Sequence, residues 1–106
     1  MFKSIVVGRS GESVSGALVE KSFTIESTFG VTLTFKTKDI RWIHFKNPPN
    51  VEIDEIWATD DRVRGKIRGK SIQLKVGGGQ AARIPYARIH TIIVNQKLDP
   101  SKGLPK

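Results

Sequence analysis

Hydrophobic and polar positions alternate with a period of two along almost the whole chain. Val14-Ser-Gly-Ala-Leu18, Phe23-Thr-Ile25 and Val31-Thr-Leu33-Thr-Phe35 alternate, and so do Val63-Arg-Gly-Lys-Ile67 and Ile72-Gln-Leu74-Lys-Val76. Alternation of this kind lays the apolar side chains on one face of a β-strand and the polar ones on the other. No window of ten or more residues carries a helical period, so the pattern predicts an all-β protein with nothing helical beyond single turns. Strands are expected near residues 2–8, 12–19, 22–28, 31–36 and 40–46, and again near 53–58, 61–69, 71–76, 80–85 and 88–95. Ser10-Gly11 and Asp60-Asp61 mark hairpins, and Phe29-Gly30 and Gly77-Gly78-Gly79 mark further reversals where glycine can supply positive φ. Residues 36–39 and 85–87 each read as one tight turn before a last strand.

The two sets of strands are copies of one unit. At an offset of 49 residues, Val14, Gly16, Lys21, Ser22, Gly30, Ile40 and Ile43 recur without a gap as Val63, Gly65, Lys70, Ser71, Gly79, Ile89 and Ile92. Seven identities in the 32 columns from Val14 to Phe45 exceed the roughly two that ordinary composition would give. Apolar character recurs as well, as in Phe23/Ile72, Ile25/Leu74, Phe35/Ile84 and Phe45/Val94. The expected organisation is a first β repeat at 1–46, a Pro-rich linker at 47–50, a second repeat at 51–95 and a flexible tail at 96–106. Asn47-Pro-Pro-Asn50 cannot continue a strand ladder, and the tail is rich in breakers and charge. Each copy is at the edge of what buries a core alone, so the halves are expected to pack together or to assemble with other copies.

Gly16 and Gly65 fall inside strands, where glycine ordinarily weakens a sheet. Their recurrence predicts a sharp bend or a close backbone approach. Asp61-Arg-Val63-Arg-Gly65-Lys-Ile67, followed by a strand, a glycine turn and Ile89-x-x-Ile92, resembles the Sm-like, SH3-like small barrels. It also resembles a duplicated β repeat of bacterial envelope proteins. The resemblance implies two tandem five-stranded barrels, ring or edge-to-edge assembly through the last strands (Ile40–Phe45 or Ile89–Val94), and RNA binding. The Sm-like RNA motifs themselves are missing, because Lys70–Leu74 and Ile84–Arg88 occupy their places.

Charge adds a candidate site. The chain has 18 Lys and Arg against 10 Asp and Glu, a net charge of +8, which favours anionic partners without bearing on the fold. From Arg62 to Lys70 the cations alternate, so strand geometry would align Arg62, Arg64, Lys66, Arg68 and Lys70 on one face. Their spacing of about 6.6–6.8 Å suits the phosphates of an extended nucleic-acid strand. The first copy has Ser13, Ser15, Ala17, Val19 and Lys21 at those positions, so the fold does not require the cations. Lys75 and Arg83 would widen the patch from neighbouring strands. A solvated face that resists edge aggregation, or neutralisation by Glu52, Asp54 and Glu55 of a neighbouring subunit, would account for the stripe equally. Trp42 and Trp57 have no aromatic counterpart in the other copy, where Thr91 and Gly8 align with them. Either could stack bases or close a core.

Other chemistry is thin. There is no cysteine, His44 and His90 are not equivalent, no metal-ligand spacing recurs, and the triple glycine lacks the lysine of a phosphate loop. No nucleophile, base and acid constellation stands out, so a non-enzymatic protein without cofactor or metal is expected. No segment is long enough to span a membrane, and a cytoplasmic location is expected, or an extracellular one had a leader been removed. Two function classes follow: a self-assembling module that binds RNA, single-stranded DNA or another polyanion, and a structural protein that polymerises into a ring, tube or filament.

Overall fold

A computed structural model describes residues 3–46, 53–59 and 61–96. The linker at 47–50, Glu52, Asp60 and the tail at 97–106 lie outside the described residues. The protein is all-β. Among the described residues ten strands run in chain order β1 (Lys3–Gly8), β2 (Ser13–Leu18), β3 (Ser22–Ser27), β4 (Thr32–Lys36), β5 (Ile40–His44), β6 (Asp54–Ala58), β7 (Arg62–Ile67), β8 (Ser71–Lys75), β9 (Ala81–Pro85) and β10 (Ile89–Gln96). Single 3₁₀ turns at Thr37–Asp39, Gly77–Gly79 and Tyr86–Arg88 are the helical elements among the described residues. The elements repeat at the offset read in the sequence: β2 and β7, β4 and β9, and the turns at 37–39 and 86–88 all lie 49 residues apart.

Every pairing is antiparallel, and the ten strands form one sheet in the order β4-β3-β7-β6-β5-β10-β1-β2-β8-β9. The order is its own mirror: each strand and its repeat partner stand at equal distances from the central β5–β10 pair. The expectation of one closed barrel per copy differs from what the pairing shows. The sheet is open, and the copies exchange hairpins. The β3–β4 hairpin of the first copy lies on β7 of the second, and the β8–β9 hairpin of the second lies on β2 of the first. One half of the sheet is therefore built from β3 to β7, within 22–67, and the other half joins 3–18 to 71–96.

The reason is local. Val19-Glu-Lys21 and Arg68-Gly-Lys70 are the connections at which β2 and β7 would have to reverse to stay within their own copy. Neither carries the Asn-Gly or Asp-Gly chemistry of a two-residue hairpin, so the chain continues across. The crossings are fastened symmetrically: Val19 N–H donates to the Gln73 carbonyl at 3.0 Å, and Arg68 N–H to the Thr24 carbonyl at 2.8 Å. Glycine makes the crossings possible. A Cβ on Gly16 would stand 2.3 Å from the Lys75 carbonyl oxygen, and one on Gly65 would stand 2.1 Å from that of Glu26. The close approach read from the repeated glycines is thus the contact between each strand and its exchanged neighbour.

Phe23, Ile25, Ile40, Ile43, Ile56 and Ile67, with Ile72, Leu74, Ile89, Ile92, Phe45, Val94 and Val6, form one buried cluster drawn from both copies. Packing recurs with the sequence, as Ile25 and Leu74, or Ile43 and Ile92, are all fully buried. One alignment column needs correction. Val6 pairs with Val14 as Ile56 pairs with Val63, so β1 and β6 are offset by 50 residues rather than 49. The β1–β2 connection (9–12) is one residue longer than that of β6–β7 (59–61). Val7, not Gly8, is the counterpart of Trp57.

Candidate nucleic-acid interface

Opposite the buried cluster, the face of the β5–β6–β7 region carries the aromatic and charged residues. Strand register places Trp42 across from Trp57 and His44 across from Glu55, then Trp57 across from Arg62 and Glu55 across from Arg64. The two indoles meet edge to face with centroids 5.7 Å apart and planes at 85°. His44 lies 6.5 Å from Trp57, and the Arg62 guanidinium sits 4.9 Å above the Trp57 ring. Glu55 ties the group together. It accepts the Trp57 indole N–H and ion-pairs Arg62 at 3.3 Å and Arg64 at 3.2 Å. Both arginine side chains nevertheless stay more than half exposed, at 51% and 57%. The stripe and the tryptophans, separate features in the sequence, form one surface.

The other half of the sheet supplies a control. Trp42, His44, Glu55, Trp57, Arg62, Arg64 and Lys66 correspond there to Thr91, Ile93, Ile5, Val7, Ser13, Ser15 and Ala17. The same backbone arrangement does without the aromatics and the charges, so the fold does not call for them.

The predicted stripe divides in three. Arg62, Arg64 and Lys66 share one face of β7 and are exposed. Arg68 and Lys70 lie beyond the strand, in the crossing, because β7 ends at Ile67. Arg68 ion-pairs Glu26 on β3 at 3.1 Å. Lys75 and Arg83 belong to β8 and β9, which five and six strands separate from β7 in the sheet. They do not widen the patch through neighbouring strands, since the exchange carries β8–β9 to the other half. Carboxylates of the same chain meet part of the stripe. Glu55 serves Arg62 and Arg64, while Asp54 is buried and accepts main-chain N–H groups from Lys46 at 2.8 Å and Ile67 at 2.9 Å.

Next to Lys66 the sheet borders a cleft of about 260 Å³ that sequence reading missed. Arg9, Lys46, Lys66 and Lys70 stand around it, with Phe45, Ile67 and Tyr86 as apolar lining. The Phe45 and Tyr86 rings are 4.5 Å apart, and the Tyr86 hydroxyl donates to the Arg68 carbonyl at 2.9 Å. Burial, helped by the negative charges of Glu20 and Asp54, pushes the Tyr86 pKa up to about 12. Lys46 reaches the cleft from the end of β5, where its N–H bonds Asp54, and Arg9 reaches it from the end of β1, which the long-range β1–β10 pairing and the Arg9 N–H bond to the Arg88 carbonyl hold there. His44 Nδ1 and His90 Nδ1 lie 3.1 and 2.7 Å from the Thr91 hydroxyl. Burial lowers the His44 pKa, against the pull of Glu55 and with smaller lowering effects from His90 and Arg62.

Among the described residues no group of three or more His, Cys, Asp or Glu is placed to hold a metal ion. Among the described residues no helix is long and apolar enough to cross a membrane. No protein-family model, curated protein or solved structure matches the chain.

Proposed function

We propose that this protein is a non-enzymatic module that binds single-stranded nucleic acid across the exposed face of β5, β6 and β7. Bases would stack on Trp42 and Trp57, and phosphates would follow Arg62, Arg64 and Lys66 toward Lys70 and the cleft. The observation that carries the reading is the joining of two indoles, an imidazole and exposed arginines on one sheet face whose repeat partner has none of them. Aromatic rings flanked by cations suit single strands, because every base offers a π-face and every nucleotide a phosphate. Sequence preference is expected to be weak, since the cations address phosphates and nothing on the face is arranged to read base edges.

Titrating a fluorescent oligonucleotide tests this. Arg64→Glu and Trp57→Ala should each weaken binding, the latter by about 1–3 kcal/mol per stacked base, while Arg83→Glu on the far edge should change it little. Equal loss from Arg83→Glu would mean diffuse charge attraction and would sink the site. The competing class, a structural subunit without a nucleic-acid ligand, is favoured instead if wild-type protein retains no oligonucleotide at low salt.

A further inference from the structure

The two outermost strands, β4 and β9, are repeat partners, yet their edges are built differently. Around β4, Phe29, Val31 and Leu33 are exposed by 92%, 53% and 37%. Their counterparts around β9 are Gly78, Gln80 and Ala82. The fold does not need apolar residues there. Val31, Leu33 and Phe35 alternate on the side of Ile25 and Phe23, their partners across the hairpin, so they carry the core layer out to the sheet edge. Main-chain direction is fixed as well. The Val31 carbonyl accepts Ser27 N–H at 2.9 Å and Thr37 N–H donates to the Lys21 carbonyl at 2.9 Å. Odd residues therefore bond inward to β3, and Thr32, Thr34 and Lys36 turn their N–H and C=O groups outward.

The same geometry on β9 turns Ala81, Arg83 and Pro85 outward. Proline has no N–H to donate, and an arginine at an edge opposes pairing. One edge is blunted and the other is open. That asymmetry decides what the open edge accepts. A repeating β4-to-β9 contact would have to use the blunted edge, so an unlimited filament is disfavoured. A twofold contact uses β4 alone and closes on itself.

We infer that β4 pairs with β4 of a second copy, antiparallel and centred on Leu33. In this register Val31 faces the partner's Phe35, Leu33 faces the partner's Leu33, and Thr32 faces the partner's Thr34. Apolar side chains meet apolar ones on the core side. On the other side the threonine pair already present within the chain, Thr24 with Thr34 at 2.9 Å, extends into the partner. Lys36 faces the partner's Gly30, so no like charges oppose despite the net charge of +8. The strand is complementary to itself, which is the reason for choosing a second copy over a foreign strand. The contact uses the outer edge of β4, two strands from Arg64 on β7 and three from Trp57 on β6, and does not rest on the nucleic-acid reading.

The absence of cysteine allows a direct test in the full chain. The central Leu33 pair is of the non-hydrogen-bonded kind, with Cα atoms about 4.5 Å apart, within disulfide reach. Leu33→Cys should therefore form a covalent dimer on mild oxidation. Thr34→Cys, whose nearest partner residue is Thr32, should form no covalent dimer. In sedimentation equilibrium the wild type should show roughly twice the chain mass, and Leu33→Glu should weaken association at least about 10-fold with its sheet spectrum intact. The proposal is overturned by a monomeric wild type at micromolar concentrations, by a ladder of masses beyond the dimer, or by equal crosslinking of both cysteine variants.

Discussion

An alanine at position 65 would bring its Cβ within 2.1 Å of the Glu26 carbonyl oxygen, a main-chain atom held in the β3–β7 ladder. Gly65 is absent from the glycines with positive φ, so the demand is steric and not conformational. Gly65→Ala should therefore destabilise the protein by about 1–3 kcal/mol, the usual cost of forcing extra volume into a packed site. Gly77→Ala, which meets nothing within 4 Å, should be close to neutral in the same denaturant series. Tyr86 gives a second residue-level expectation. It is the single tyrosine, so its ionisation can be followed by ultraviolet titration without ambiguity. Its folded pKa, pushed up to about 12, lies above the ordinary value of 10.0. The folded state then keeps a proton that the unfolded chain releases, so this contribution is fully present below pH 10 and is lost as pH rises toward 12. Tyr86→Phe should remove that part of the alkaline loss, and titration of the folded wild type near pH 10 would refute it. At acid pH His44 contributes, its pKa being lowered by burial. The unfolded chain takes up its proton first, and stability falls as pH drops below the ordinary value of 6.5.

At the scale of elements the exchange of hairpins makes the sequence repeat and the structural half different objects. A peptide of residues 1–46 contains β1 to β5, but β2 and β3 each lack one of their two partner strands, since β8 and β7 belong to the rest of the chain. Peptides 1–46 and 47–106 should each show little sheet signal alone and recover it on equimolar mixing. Independent folding of either by circular dichroism would contradict the observed pairing. The strands themselves were legible. Period-two alternation placed all ten within two residues at most ends, and the repeated Gly16 and Gly65 foretold the close approach. Which strands pair was not legible, because β2 alternates alike whether β3 or β8 lies beside it, and only the missing turn chemistry at 19–21 and 68–70 spoke against a local reversal. The site shows the same division. Arg62, Arg64 and Lys66 were visible as a stripe on one strand, whereas the contact of Arg62 with Trp57 depends on register, and the place of Arg9 at the cleft depends on the long-range β1–β10 pairing. Lys75 and Arg83, expected on strands neighbouring the stripe, are carried to the other half of the sheet by the same exchange.

For the whole molecule the question is how much of the net charge of +8 a polyanion would meet. The five-cation stripe overstates it. Arg62 and Arg64 share the Glu55 carboxylate, and Arg68 is matched by Glu26. Among the described residues neither Lys66 nor Lys70 has an ion pair, and both stand at the cleft. Surface ion pairs are weak and yield readily to a closer anion, so the arginines remain usable, but each phosphate gained there displaces a carboxylate as well as counterions. Two to three full neutralisations are a fair expectation. With about −0.7 per phosphate contact on a single strand, the log–log slope of affinity against salt should be roughly −1.4 to −2. Glu55→Gln sharpens the test. Removing the shared carboxylate frees two guanidiniums without changing the strand register, so binding should tighten and the slope should steepen by roughly −0.7 for each added contact. A slope unchanged by Glu55→Gln would mean that Arg62 and Arg64 lie off the path of the ligand, and the interface would then be confined to the cleft around Lys66 and Lys70.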